Sequence, residues 1–153
     1  MRAIVVIALI IMSSNTVFGQ LATAERMLEL SNWKVLRTKN SMTDKLSCVA
    51  IHRDNYSIQL KQDALYLSRE GKGGVAIYQI RIDEAAATKS RRPGKIEQQL
   101  STIILTKAEV QQLVGAKRLR VSGLSVLNSM INEDLDIDGI ATAHAVLASP
   151  KCK

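Results

Sequence analysis

Asp134, Asp136 and Asp138 alternate with Leu135 and Ile137 and are followed by Gly139. Oxygen donors at alternate positions, then a glycine, open the calcium loop of helix–loop–helix proteins. A hard cation takes carboxylate oxygens at those points, and the glycine permits the sharp turn. The twelfth position, where a bidentate carboxylate closes such a loop, is Ala145 here, and no helical pattern precedes Asp134. The run also satisfies a simpler pattern, a strand with Leu135 and Ile137 turned to a core and the carboxylates turned to water. A strand is expected. Asp134, Asp136 and Asp138 stand as weak candidate metal ligands, and a metal-binding protein or an enzyme using this acidic run stands as an alternative function.

Lys89, Arg91, Arg92 and Lys95 cluster around Ser90, Pro93 and Gly94. Such a cluster could grip phosphates or an acidic partner, and these four residues are the candidate partner-binding set. Gly71, Gly73 and Gly74 flank Lys72, but the spacing of a phosphate-cradling loop and its following helix are both missing, so a hairpin turn is expected. The two histidines, His52 and His144, have no cysteine or acid at ligand spacing. No Gly-x-Ser-x-Gly elbow occurs. Glu70, Asp83 and Glu84 have no evident carboxylate partner. No catalytic residue, enzymatic activity or cofactor is expected. Aromatic residues make up only 3% of the chain, too few for a base-stacking platform, so nucleic acid is not an expected partner.

Cys48 and Cys152 are the only cysteines. The N-terminus predicts where they reside. Arg2 precedes an unbroken apolar run over residues 3–12, and small residues follow up to Gly19. This is the pattern of a secretory signal, with an apolar stretch about half the ~20 residues a bilayer span needs. Cleavage is expected after Gly19, with Ala24 as the second choice, leaving residues 20–153 as one domain and no membrane span. An exported chain with two cysteines is expected to join them in one disulfide. The formal net charge of +7 favours an acidic protein or surface as partner, and equally serves solubility.

The elements that must position these groups are short. Residues 21–31 carry helical character. Strand patterns follow at 33–38, 46–52, 56–62, 64–69 and 75–83, the last with a phase slip near Gln79 that suggests a bulge or a fully buried stretch. Residues 84–95 are poor in apolar bulk and read as an exposed loop. Residues 96–105 read as strand. Thr106 and Glu109 form a capping box ahead of a helix with Val110, Leu113 and Val114 on one face, ended by Gly115. Strands are expected at 117–122, 124–131 and 134–139, and a short helix at 140–149 stopped by Pro150. The fold class is therefore α+β, a mostly antiparallel β-sheet or sandwich with two short helices in the C-terminal half and one disulfide.

Trp33, Lys34 and Val35 opening the domain, the run Thr43 to Cys48, the helix from Gly139 to Ala143 and a final cysteine together carry a resemblance. They resemble small proteobacterial periplasmic β-sandwich proteins, such as the invasion-associated locus B family and accessory periplasmic proteins of type VI secretion. The resemblance implies a non-enzymatic envelope protein and transfers no functional residues. The expected function is an exported protein-binding or accessory module, periplasmic or secreted, acting through a sheet face or the basic loop on another envelope or secreted protein. An immunity protein or hydrolase inhibitor is a further alternative.

Overall fold

The computed structural model describes residues 24–152. The expected leader lies outside the described residues. Among the described residues nine strands are arranged in two sheets. The first five are β1 (Glu25–Glu29), β2 (Trp33–Lys39), β3 (Leu46–His52), β4 (Ile58–Lys61) and β5 (Ala64–Ser68); with β7 (Thr102–Leu105) they form an antiparallel six-stranded sheet in the order β1-β2-β3-β4-β5-β7. β6 (Ile77–Ile82), β8 (Arg118–Leu124) and β9 (Met130–Asp136) form an antiparallel three-stranded sheet in the order β6-β8-β9. Among the described residues three short helices lie in the C-terminal half: α1 (Lys95–Gln99), α2 (Lys107–Leu113) and α3 (Ile140–Ala148). A 3-10 turn at Pro150–Cys152 closes the described chain. Among the described residues no helix is long and apolar enough to cross a membrane.

The alternation read in the sequence becomes one buried face per sheet. Val35, Ala50, Leu60, Leu65 and Leu105 stand in register across five strands, and every one is 0% exposed. Each leucine in that row contributes about 1.5–3 kcal/mol by leaving water. Tyr78, Ile80, Leu119, Val121, Ile131 and Leu135 form the buried face of the smaller sheet. The two faces meet: Ile58, Leu67 and Ile103 line the same internal space as Val121 and Leu135. α3 packs beside the smaller sheet against β2, β3 and β4, burying Ile140, Ala143 and Leu147.

The disulfide joins Cys48 of β3 to Cys152, with Cα atoms 5.4 Å apart and a sequence separation of 104. It ties the chain's last turn to the centre of the large sheet and is consistent with an oxidising compartment. Trp33 adds a second tie, its indole N–H donating to the Ile137 carbonyl at 3.3 Å.

Several local expectations give way to tertiary pairing. The stretch read as helical contains β1, because its backbone completes the edge of the large sheet against β2 and Arg37 pairs with Glu25. The first residues of the stretch read as strand over 96–105 form α1. There Glu97 accepts the backbone N–H of Gly94 at 2.7 Å and of Ile104 at 2.9 Å, so one carboxylate winds the turn and anchors it to β7. β6 has no bulge: Ile77 to Ile82 pair residue by residue with β8, and the discontinuity in the two sheets' registers falls instead between Arg26 and Leu28 of β1. The tract read as strand near residue 128 is a tight turn with Asn128 at φ 60°. Tyr56 does not join Ile58 and Leu60 in the core and is 71% exposed, because Asn55 begins a turn ahead of β4. Val114 ends α2 in extended backbone and remains exposed rather than completing the stripe of Val110 and Leu113. The capping box is present, with the Thr106 N–H donating to the Glu109 carboxylate at 2.8 Å.

Candidate binding face

Strand register composes the outer face of the three-stranded sheet. Ile77, Leu124 and Met130 form one row across it; Gln79, Ser122 and Asn132 form the next; Arg81, Arg120 and Asp134 form the third. The face grades from apolar, through amide and hydroxyl, to charged. Gln79 Nε2 donates to Ser122 Oγ at 3.0 Å, which orients the middle row. In the third row Glu84 receives Arg81 at 2.9 Å and Arg120 at 3.1 Å, and Asp134 receives Arg118 at 2.8 Å.

Residues 83–94 run along the free edge of β6 and form a wall beside this face. Asp83, at φ 45°, accepts the backbone N–H groups of Lys117 and Arg118 at 3.0 and 2.8 Å and so fixes the start of the loop. Thr88 donates its N–H to the Ile80 carbonyl at 2.8 Å, and its hydroxyl accepts the Ile80 N–H at 3.0 Å. Arg91 and Tyr78 exchange backbone hydrogen bonds in both directions. The loop thus occupies edge groups of β6 that would otherwise be open to another strand. Between loop and sheet lies a cavity of about 390 Å³, lined by Gln79, Arg81, Ala87, Arg120, Ser122, Asn132 and Asp134.

The loop is held by one buried aromatic. The Tyr78 hydroxyl donates to Glu97 at 2.8 Å and accepts from Arg91 Nε at 2.8 Å, and the Arg91 guanidinium sits 4.9 Å from the centre of the Tyr78 ring. Arg91 continues to Glu109 at 2.8 Å, the residue that caps α2. Burial, with the Glu97 carboxylate beside it, pushes the Tyr78 hydroxyl well above its ordinary range. Burial works against ionisation of Glu109, but the Thr106 N–H and Arg91 outweigh it and hold the carboxyl below the usual carboxylate range. Burial also opposes the charge on Arg91, yet Glu109 and Tyr78 leave its guanidinium above its ordinary value.

The four residues of the basic cluster therefore divide. All four are exposed, but among the described residues Lys89, Arg92 and Lys95 form no ion pair. Arg91 is spent on Tyr78 and Glu109 and fastens the loop. The acidic run is a strand edge with Leu135 and Ile137 buried, as the alternation requires. Asp134 meets Arg118 and Arg120, and Asp136 accepts the Asp138 N–H at 3.0 Å. Among the described residues no group of three or more His, Cys, Asp or Glu side chains is placed to hold a metal ion. Folding brings Asp134 to the cavity under the loop, while Asp138 lies beyond the end of β9.

Both histidines serve packing. His52 is buried edge-on to Trp33, with ring centres 5.4 Å apart, and its Nε2 donates to the Asp136 carbonyl at 2.8 Å. His144 Nε2 donates to the Gln62 carbonyl at 3.0 Å. The sequence reading singled out neither Gln79 nor Ser122 nor Asn132. Their polar character at alternate strand positions marks them as outward-facing, but their alignment into one row depends on pairing between β6, β8 and β9. No protein-family model, no curated protein and no solved structure matches this chain.

Proposed function

We propose that the protein is an exported, non-enzymatic envelope protein, periplasmic or secreted, that acts as a protein-binding or accessory module in the manner of the periplasmic β-sandwich proteins it resembles. The contact surface is the outer face of the three-stranded sheet together with the loop beside it. One observation carries this reading. Among the described residues nothing covers the face, which is graded from the apolar row of Ile77, Leu124 and Met130 to the charged row of Arg81, Arg120 and Asp134, and walled by a loop whose base is pinned by Tyr78 and Arg91. A fixed concave surface with apolar and hydrogen-bonding groups side by side loses little freedom when a partner docks. Lys89, Arg92 and Lys95 at the loop's exposed rim favour an acidic partner and speed its approach. The engagement of Asp134 by two arginines favours this reading over metal binding.

Site-specific photo-crosslinking in the producing cell tests it. A crosslinker at Asn132 is expected to trap a discrete partner, and one at Gln59, on the outer face of the other sheet, is not. Charge reversal at Lys89, Arg92 and Lys95 together is expected to weaken the Asn132 product with no change in melting temperature. Equal trapping from Asn132 and Gln59, or none from either, overturns the proposal.

A further inference from the structure

The turn joining β8 to β9 inverts the usual polarity of a surface loop. Ser125 is 0% exposed, whereas Val126 is 66%, Leu127 is 74% and the neighbouring Met130 is 67% exposed. The buried serine builds the turn. Its N–H donates to the Ser129 carbonyl at 2.8 Å, its carbonyl accepts the Asn128 N–H at 3.1 Å, and its hydroxyl accepts the Ser129 N–H at 3.0 Å. The Val126 N–H donates to the Gly73 carbonyl at 3.0 Å, locking the turn to the glycine-rich loop beside it. Leu127 rests against Gly73, where a Cβ would come within 3.1 Å of its side chain. The apolar side chains at this end of the sheet are thus presented by a turn whose N–H groups at 125, 126, 128 and 129 are already satisfied internally.

We infer that this turn is a membrane-surface contact, in which Val126 and Leu127 enter the boundary of an anionic lipid bilayer while Lys72 and Arg92 meet its headgroups. Two features select lipid over a protein pocket. An apolar phase penalises every backbone N–H that loses water without gaining a partner, and here four of the turn's five, at 125, 126, 128 and 129, have partners before contact. The apolar tip is also flanked by cations. Arg92 lines one cavity with Val126, Lys72 adjoins the Gly73 that supports Leu127, and neither forms an ion pair among the described residues. Apolar insertion combined with attraction to anionic headgroups is the pairing that holds proteins at an interface without spanning it. Arg92 serves both contacts, whereas Val126 and Leu127 lie outside the crosslinking face around Asn132, so the variant at 126 and 127 tells the two assignments apart.

The test uses the exported, oxidised protein and vesicles of phosphatidylethanolamine and phosphatidylglycerol in equal parts, with pure phosphatidylcholine vesicles for comparison. Wild-type protein is expected to co-sediment with the anionic vesicles and much less with the neutral ones. Val126→Glu with Leu127→Glu, prepared identically so that the N-terminus is the same, is expected to weaken binding about tenfold or more at unchanged melting temperature. Lys72→Glu with Arg92→Glu is expected to remove the preference for anionic lipid. In Leu127→Trp, the tip's fluorescence is expected to shift blue on vesicle addition, against the fully buried Trp33 background. Absent binding to anionic vesicles, or binding unchanged by the double glutamate variant, overturns the inference. So does a double variant that keeps vesicle binding but loses a protein crosslink, which would make the tip a protein contact instead.

Discussion

Arg91 reaches from the basic loop to Glu109, the capping carboxylate of α2, at 2.8 Å. The two residues couple a segment that has no regular structure to the start of a helix, and they do so over the face of Tyr78. Replacing Arg91 with alanine is expected to cost about 1–3 kcal/mol, because it leaves Glu109 and the Tyr78 hydroxyl short of a partner. Replacing its exposed neighbour Arg92 with alanine is expected to stay within about 0.5 kcal/mol. Urea unfolding midpoints of the two variants separate the structural arginine from the free one.

The same cluster gives stability a defined dependence on pH. Glu109 ionises below its ordinary 4.5, so its contribution is present above that value and is lost as pH falls through the lower folded-state value. Tyr78 ionises above its ordinary 10.0, so its contribution is present below pH 10 and is lost as pH rises toward the higher folded-state value. Melting temperature is expected to fall on both sides. Glu109→Gln should flatten the acid limb alone, and Tyr78→Phe the alkaline limb alone.

Removing the disulfide with Cys48→Ser and Cys152→Ser together is expected to cost about 4–5 kcal/mol, since the closed loop spans 104 residues of sequence. Equilibrium unfolding of the oxidised and double-serine proteins measures it. The oxidised protein should show no free thiol by mass analysis under non-reducing conditions.

Gly123 sits opposite Tyr78 in the pairing of β6 with β8. A Cβ there would lie 2.1 Å from the Ile77 carbonyl oxygen and 2.8 Å from the Tyr78 Cα. Gly123→Ala is therefore expected to force the strands apart and cost about 3 kcal/mol or more. Soluble yield and melting temperature read the effect, and little change in either would show that the strands separate easily.

Asp134 is held by Arg118 and Arg120 and lies on a strand, not in a chelating loop. Adding calcium, or a chelator, is expected to leave the melting temperature unchanged. A rise with calcium that vanishes in Asp136→Asn would restore the metal reading.

Patterns that depend on neighbours a few residues apart were legible in the chain. Period-two alternation at 33–38 and 64–69, the apolar strand run at 46–52, the capping box of Thr106 and Glu109, and the alternation of Leu135 and Ile137 with aspartates each report a local geometry that one segment enforces on its own. Two cysteines beneath an export pattern left one pairing to choose. The rest depended on contacts distant in sequence. β1 is a strand because β2 offers an edge, and α1 winds because Glu97 is called on by Gly94, Ile104 and Tyr78 at once. Arg91 and Arg92 are adjacent and chemically identical, yet one faces a buried phenol and the other water. The row of Gln79, Ser122 and Asn132 exists only in register, and a slip of one residue would turn each of them to the core. Local geometry is set by each residue and its nearest neighbours along the chain, whereas the assembly of a face is set by which strands pair, a choice made by the burial of the entire core.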